Sequence, residues 1–200
     1  MIPPIPITQL VSQCVPGAPI HSIAAIIKVE SSGNPLALFD NTTGRSILPS
    51  NKQQAKQILK NLIAKHHQVD VGIAQVDTEN FAKTGLTVNN AFDACSNIRA
   101  GNQIFMASYT QAVSAGFSGQ SAVFHAFEAY NSGRVVGDAS YANRVLRAAG
   151  IPVFYAQNEE KPTFLKVAYA SWAQNWNPDN QQKQLVTQNN QYAQSWNPAK

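Results

Sequence analysis

Apolar residues recur at α-helical spacing along most of this chain, and this periodicity constrains its fold more than any other feature. Ile7, Leu10, Val11 and Cys14 fall at positions i, i+3, i+4 and i+7, so they share one face of a short helix. A run that is apolar on most sides, residues 120–130, predicts a buried central helix. The same reasoning predicts further helices within residues 21–35, 50–67, 78–83, 91–115 and 141–149.

Two stretches between these helices have a different character. Residues 36–39 and 45–48 flank the turn-rich segment 40–44, which predicts a small hairpin or an irregular β-like flap. In the segment 69–76, Gly72 predicts a close backbone approach rather than a regular element. The fold class expected is therefore mainly α, with a small β-like insertion.

Local signals suggest where two of the helices begin. Ser22 is the expected N-cap of the second helix, which Gly33 and Pro35 should stop. Ser50 is the expected cap of the third, which should end near His66. The third helix carries an apolar stripe formed by Ala55, Ile58, Leu59, Leu62 and Ile63.

The chain changes character after about Pro152. We expect one domain over residues 1–152 and an Asn/Gln-rich tail over residues 153–200. The tail repeats a Trp-Asn-Pro unit in residues 173–178 and 193–198. Its composition favours disorder, and the alternative is that the repeated units are short linear motifs that bind a partner.

Charge and hydropathy exclude several classes of function. The net charge is +4, only 13% of residues are charged, and no Lys/Arg cluster exceeds a pair, so nucleic-acid binding is not expected. A weak preference for anionic envelope polymers or membrane surfaces would fit the charge without being established by it. The sequence has no apolar run of about 18 residues, so no membrane span is expected. The start, Met1-Ile-Pro-Pro-Ile-Pro6, is no signal peptide, so either the protein stays where it is made or a leader has been removed.

The sequence contains one adjacent histidine pair, His66-His67, and a further histidine, His125, in the predicted central helix. His66 and His67 diverge on a helix and have no ligand at metal spacing, so we expect solvated histidines and no metal. His125 is expected to be a hydrogen-bonded core residue.

Glu30 is the candidate general acid, because the negative end of its helix and the neighbouring apolar residues both favour a protonated carboxyl. The alternative is a solvated glutamate at a helix end.

Five short motifs occur in a fixed order. An early Cys14 precedes Glu30-Ser31-Ser32-Gly33-Asn34-Pro35, and then come Gly72-Ile73-Ala74-Gln75, the run 93–101 and the segment 129–133. Together they resemble the soluble lytic transglycosylases, relatives of goose-type lysozyme, and in particular the branch associated with type IV secretion and conjugation systems. The resemblance covers about residues 7–150 and implies a lysozyme-like helical domain without cofactors.

The resemblance also implies a reaction. In this family, Glu30 would protonate the glycosidic oxygen between N-acetylmuramic acid and N-acetylglucosamine and then accept the proton of the C6 hydroxyl, leaving a 1,6-anhydro end. Such chemistry needs one group that is first acid and then base. Substrate-binding or orienting roles would fall to Ser31, Asn34, Gln75, Tyr130 and Asn131.

Two positions depart from the family pattern and leave alternatives open. Ala74 replaces a larger residue, and Asp77 adds a carboxylate near the site. The rival functions are a hydrolytic muramidase, with Asp77 or Asp70 as base for a water molecule, and a non-catalytic peptidoglycan-binding assembly factor.

The two cysteines permit a single intramolecular pairing. The alternative is two buried free thiols, which is the commoner case in a cytosolic protein, and composition alone does not decide between them. The resemblance implies a Cys14–Cys95 disulfide and an oxidising periplasm or cell envelope. It also implies peptidoglycan strands as substrate, and components of a secretion apparatus as partners of the tail.

Overall fold

The computed structural model describes residues 5–149, and the predicted tail with its Trp-Asn-Pro repeats lies outside them. The described chain divides after Gln103 into two compact units. The mainly α class is confirmed, with one small sheet in the described residues. The helices are α1 (Ile7–Cys14), α2 (Ile20–Ser31), α3 (Lys52–Ala64), α4 (Phe81–Thr84), α5 (Ala94–Ser114), α6 (Gly119–Ser132) and α7 (Ala139–Ala148), with a 3-10 turn at Thr78–Asn80 and strands β1 (Leu38–Asp40), β2 (Arg45–Ile47), β3 (Val69–Val71) and β4 (Val76–Asp77).

The sheet of the first unit is antiparallel, in the order β2-β1-β3-β4. The hairpin of β1 and β2 confirms the prediction for residues 36–48. The expectation that residues 69–76 contain no regular element was wrong, because β3 and β4 form there on either side of Gly72. These strands have three and two residues, too few for an alternating pattern to be recognised in the sequence.

The two cysteines join helices that are distant in sequence. A Cys14–Cys95 disulfide connects the end of α1 to the start of α5, across a sequence separation of 81 residues. Arg99, one turn further along α5, donates a 3.2 Å hydrogen bond to the carbonyl oxygen of Cys14. The predicted disulfide is therefore confirmed.

Both predicted helix caps were wrong by a short distance. Helix α2 begins at Ile20 after Pro19, so Ser22 lies within it and is buried. Helix α3 is capped by Asn51, whose Oδ1 accepts from the backbone N–H of Gln54 at 2.9 Å. Ser50 instead donates its own N–H and hydroxyl to Oε1 of Gln54. Helix α2 has no side-chain cap at all, since Pro19 precedes it. Before α3, Ser50 and Asn51 are both polar, and only the backbone geometry decides which of them caps.

The apolar stripe of α3 is narrower than predicted. Ala55 and Leu59 are fully buried, whereas Ile63 is 37% exposed. The helix contacts β1 and β3. The sheet covers only part of the stripe, so Ile63 remains at its edge.

The second unit is built around α6. Phe105 of α5 and Phe127 of α6 have ring centroids 5.3 Å apart, and α6 is buried from Ala122 to Ala129, as predicted for a central helix. Gly133 ends the helix in a left-handed conformation, with φ of 71°. No helix within residues 5–149 combines the length and apolar character needed to cross a bilayer.

Candidate functional site

Glu30 lies in the last turn of α2, as the sequence predicts. The helix ends at Ser31, because Ser32 and Gly33 both adopt left-handed conformations, with φ of 54° and 83°. Glu30 is half-buried rather than directed wholly to solvent. At this position the partial negative charge of the helix end disfavours an ionised carboxylate.

Ser31 ties the Glu30 segment to a second predicted motif. Its hydroxyl donates a 2.6 Å hydrogen bond to the carbonyl oxygen of Ile73 and accepts one of 3.1 Å from the N–H of Gly33. The Glu-Ser motif and the Gly72–Gln75 segment are thus adjacent in the first unit. Their proximity comes from tertiary structure, since 42 residues separate Ser31 from Ile73.

A buried asparagine holds the Gly72–Gln75 segment in place. The side chain of Asn97 donates to the carbonyl oxygens of Val71 (2.9 Å) and Ala91 (3.0 Å) and accepts from the N–H of Ala74 at 2.8 Å. Gly72 passes so close that a Cβ there would lie 2.6 Å from Nδ2 of Asn97. The predicted close backbone approach at Gly72 is confirmed. Sequence reasoning missed Asn97, although it lies inside the 93–101 motif run.

The side chain of Gln75 is oriented by the backbone around it. The backbone of Gln75 has a φ of 47°. The side-chain Nε2 donates to the carbonyl oxygens of Gly72 (2.7 Å) and Ala37 (3.1 Å). These two bonds use both amide protons. A substrate contact by the Gln75 amide would therefore be made by Oε1, as an acceptor.

Asn34 has a clear structural role at the start of the turn after α2. Its Oδ1 accepts a 2.9 Å hydrogen bond from the N–H of Leu36, which forms an Asx turn around Pro35. A groove contact by Asn34 would therefore fall mainly to its NH₂ group.

Asp70 and Asp77 face each other across β3 and β4. Burial raises the pKa of Asp70 to about 7, a hydrogen bond from Asn41 opposes the shift, and the charge of Asp77 adds to it. Burial also raises the pKa of Asp77, whose Oδ1 accepts from the N–H of Glu79 at 2.7 Å. Two carboxylates on neighbouring strands repel when both are ionised, which favours the protonated form of one of them.

His67 is not the solvated residue that was expected. Its Nδ1 lies 2.9 Å from Oδ2 of the buried Asp40. Asp40 also accepts from the hydroxyl of Thr43 (2.6 Å) and the N–H of Thr42 (3.1 Å), and the hydrogen bonds from Thr43 and His67 lower its pKa. The pair fastens the β1–β2 turn to the segment that enters β3.

Tyr130 and Asn131 belong to the second unit, at the end of α6. Tyr130 is half-buried and Asn131 is exposed. Nδ2 of Asn131 donates a 3.2 Å hydrogen bond to Oδ2 of Asp138, whose Oδ1 caps α7 by accepting from the N–H of Tyr141 at 2.9 Å. These bonds fix the turn that follows the predicted Ala-Tyr-Asn-Ser-Gly motif.

About one and a half turns earlier on α6, His125 forms a buried pair with Glu128. Nδ1 of His125 lies 2.5 Å from Oε2 of Glu128 and 2.9 Å from the carbonyl oxygen of Val135. His125 is thus a hydrogen-bonded core residue, as predicted. Among residues 5–149, no three His, Cys, Asp or Glu side chains are grouped so that they could hold a metal ion.

Comparisons with known proteins identify the family of this chain. A family model described as the transglycosylase SLT domain matches residues 12–143. Protein virB1 of Rhizobium radiobacter is 33% identical over 135 residues, covering 68% of this chain and 55% of that protein. The type IV secretion system protein virB1 of Brucella abortus biovar 1 (strain 9-941) is 33% identical over 156 residues, covering 74% of this chain and 65% of that protein. No solved structure matched the chain. The chain thus spans between about half and two thirds of the length of these curated relatives.

Proposed function

This chain belongs to the transglycosylase SLT domain family, and we propose that it is a lytic transglycosylase acting on peptidoglycan. Its substrate is the β-1,4 bond between N-acetylmuramic acid and N-acetylglucosamine. Cleavage leaves a 1,6-anhydro end and consumes no water. The observation that carries this proposal is the hydrogen bond from Ser31 to Ile73, since it brings the Glu30 segment beside the segment that ends in Gln75.

Glu30 acts twice in the proposed reaction. As an acid it protonates the glycosidic oxygen, and as a base it then takes the proton of the C6 hydroxyl on the same muramoyl ring while that oxygen attacks C1. The proton balance closes on this one side chain, so a second carboxylate is not required. The position of Glu30 in the last turn of α2 supports the acid form from which the cycle starts.

The other site residues orient the sugar. Ser31 holds the segment that bears Glu30, and Gln75 offers its Oε1 to a donor such as the acetamido N–H. Asn34 lies in the turn directly after Glu30 and can present its NH₂ group to the glycan. The roles of Tyr130 and Asn131 in contacting the acetamido group rest on the family resemblance.

The setting proposed for this activity is the periplasm, where the enzyme opens the cell wall locally for assembly of a type IV secretion system. The names of the virB1 relatives support the link to secretion. The Cys14–Cys95 disulfide supports an oxidising compartment. The Trp-Asn-Pro units of the tail are proposed to bind a component of the apparatus.

The test is mass spectrometry of muropeptides released from purified sacculi by Glu30→Gln and by the unchanged protein. We expect anhydro ends from the unchanged protein and loss of nearly all turnover in Glu30→Gln, because the amide can neither give nor take the proton. Glu79→Gln is the matched control, since Glu79 is an exposed glutamate in the same unit. Retained turnover in Glu30→Gln contradicts the assignment.

The same products separate the rival functions. Reducing ends, lost in Asp77→Asn or Asp70→Asn, would identify a hydrolytic muramidase in which one of these carboxylates activates water. Absence of any released product from well-folded protein, with secretion unaffected by Glu30→Gln but lost on deletion of residues 153–200, would identify a non-catalytic assembly factor.

A further inference from the structure

The positive charge of the first unit is concentrated between β1 and β3. Residues 41–68 contain five Lys or Arg residues and no Asp or Glu. Asp40, the acid that directly precedes this stretch, does not neutralise it, because Asp40 is buried and paired with His67. The five cations are Arg45, Lys52, Lys56, Lys60 and Lys65.

Helix α3 aligns most of this charge on one side. Lys52, Lys56 and Lys60 follow one another at i, i+4 and i+8, so they form a continuous row along the helix. Ile63 continues the row, three residues beyond Lys60. We call Lys52, Lys56, Lys60 and Ile63 the lysine face. The buried residues Ala55 and Leu59 lie beside this row and pack towards the sheet.

No acid of the described residues pairs with the lysine face. Within residues 5–149, none of these three lysines forms a salt bridge, and the close contacts His67–Asp40 and His125–Glu128 involve no lysine. Asp93 is the acid within electrostatic reach of Lys52, and it is exposed. The row therefore presents its charge outward.

Exposed aliphatic side chains lie at both ends of this row. Leu48, between β2 and the start of α3, is 74% exposed, and Ile63 near the end of α3 is 37% exposed. Lys52 follows Leu48 by four positions in the chain, so the two Cα atoms are at most about 14 Å apart. Cations for anionic headgroups, together with aliphatic side chains that can enter the acyl boundary, are the combination of a surface that lies on a bilayer.

We propose that the lysine face, with Leu48, docks on the surface of an anionic phospholipid bilayer. The lysines attract the phosphate headgroups, and Leu48 and Ile63 are removed from water at the interface. An anionic peptide of the cell wall would satisfy the lysines but would leave the two aliphatic side chains in a hydrated mesh. Bilayer docking therefore accounts for both features. It goes beyond the proposed function and does not depend on it.

The test is co-sedimentation of the full, disulfide-bonded chain with vesicles. Phosphatidylcholine vesicles are compared with vesicles that also contain phosphatidylglycerol. The variant Lys52→Gln/Lys56→Gln/Lys60→Gln removes the charge of the lysine face with residues of similar helix propensity. The control Lys83→Gln/Arg134→Gln/Arg147→Gln removes the same net charge from elsewhere in the described chain. Both variants are compared at equal ionic strength, because the attraction is screened by salt.

We expect binding only to the vesicles that contain phosphatidylglycerol. The partition coefficient should fall on the order of 100-fold in the lysine-face variant, from about fivefold per lysine near an anionic surface. The control should change far less, and Leu48→Ser/Ile63→Ser should weaken binding at unchanged charge. Equal losses of vesicle binding in the two triple variants would overturn the proposal. It would also be overturned if the lysine-face variant lost binding to sacculi but bound the vesicles as tightly as the unchanged protein.

Discussion

The hydroxyl of Ser31 donates a 2.6 Å hydrogen bond to the carbonyl oxygen of Ile73. This bond joins the last residue of α2 to a loop that the sequence places 42 residues later. Glu30 precedes Ser31, and Gln75 follows Ile73 by two residues. The position of the proposed acid relative to the proposed sugar-binding amide therefore depends on one side chain that takes no part in the chemistry.

Replacing Ser31 by alanine should affect turnover more than folding. Loss of the hydroxyl's partly buried hydrogen bonds, to Ile73 and from Gly33, should lower the free energy of unfolding by about 1–3 kcal/mol. Release of the Glu30 segment from the loop should lower kcat by about 10- to 100-fold with a smaller change in KM, because small misplacements of a reacting group are costly. Steady-state assay of anhydro-muropeptide release measures both constants. Ser32→Ala, at the exposed neighbour, should leave kcat within about twofold; an equal loss there would refute the positioning role.

Gly72→Ala should destabilise the first unit more than a glycine substitution elsewhere. Both Gly72 and Gly44 have positive φ, at 80° and 68°, so alanine at either costs about 1–2 kcal/mol. At Gly72 the new Cβ would also meet Asn97 and the carbonyl oxygen of Ala91, at 2.6 and 2.8 Å, whereas Gly44 faces open space. Urea unfolding should show an additional loss of about 1–3 kcal/mol for Gly72→Ala. Equal losses would mean that Asn97 does not enforce the approach.

The carboxyl of Asp70 should make stability fall as the pH rises. Burial raises its folded pKa to about 7 from 3.8, so between these values the folded state keeps a proton that the unfolded state has lost. The contribution of Asp70 to the free energy of unfolding is therefore fully present below pH 3.8 and is lost as the pH rises through about 7. In urea unfolding across this range, Asp70→Asn should show a shallower decline than the unchanged protein.

Asp93→Asn provides a control of opposite sign for that experiment. A backbone hydrogen bond from Ser96 lowers the pKa of Asp93, so its contribution is present above its unfolded pKa and is lost as the pH falls through the folded value. The variant should lose stability at neutral pH and not in acid. If both variants changed the pH profile in the same direction, the assignment to Asp70 would fail.

Removing the disulfide should lower the free energy of unfolding of the protein. Closing a loop of 81 residues contributes about 4 kcal/mol by restricting the unfolded chain. The free energy of unfolding of Cys14→Ser/Cys95→Ser should therefore be lower by about 4 kcal/mol, which urea unfolding measures. Adding reductant should destabilise the unchanged protein to the same extent and leave the double variant unaffected. A response of the variant to reductant would show that another group is being reduced.

The sequence by itself determined most of the helices, the hairpin of β1 and β2, the one pairing that the two cysteines could form and the order of the motifs. Long helices such as α5 and α6 repeat their apolar residues often enough for the period to be recognised. The family resemblance also depends only on which residues occur and in what order. These features are local, or follow from there being two cysteines in the chain.

Tertiary structure alone decided which groups meet. Strands β3 and β4 are too short to carry a period, so the facing of Asp70 and Asp77 could not be predicted from spacing. The three hydrogen bonds of Asn97 reach backbone groups that lie 6, 23 and 26 residues earlier in the sequence. A single amide gives no periodic signal, and its partners are fixed by the folded chain around it. The physical reason is that helix formation depends on neighbours three and four residues away, whereas the site depends on contacts across tens of residues.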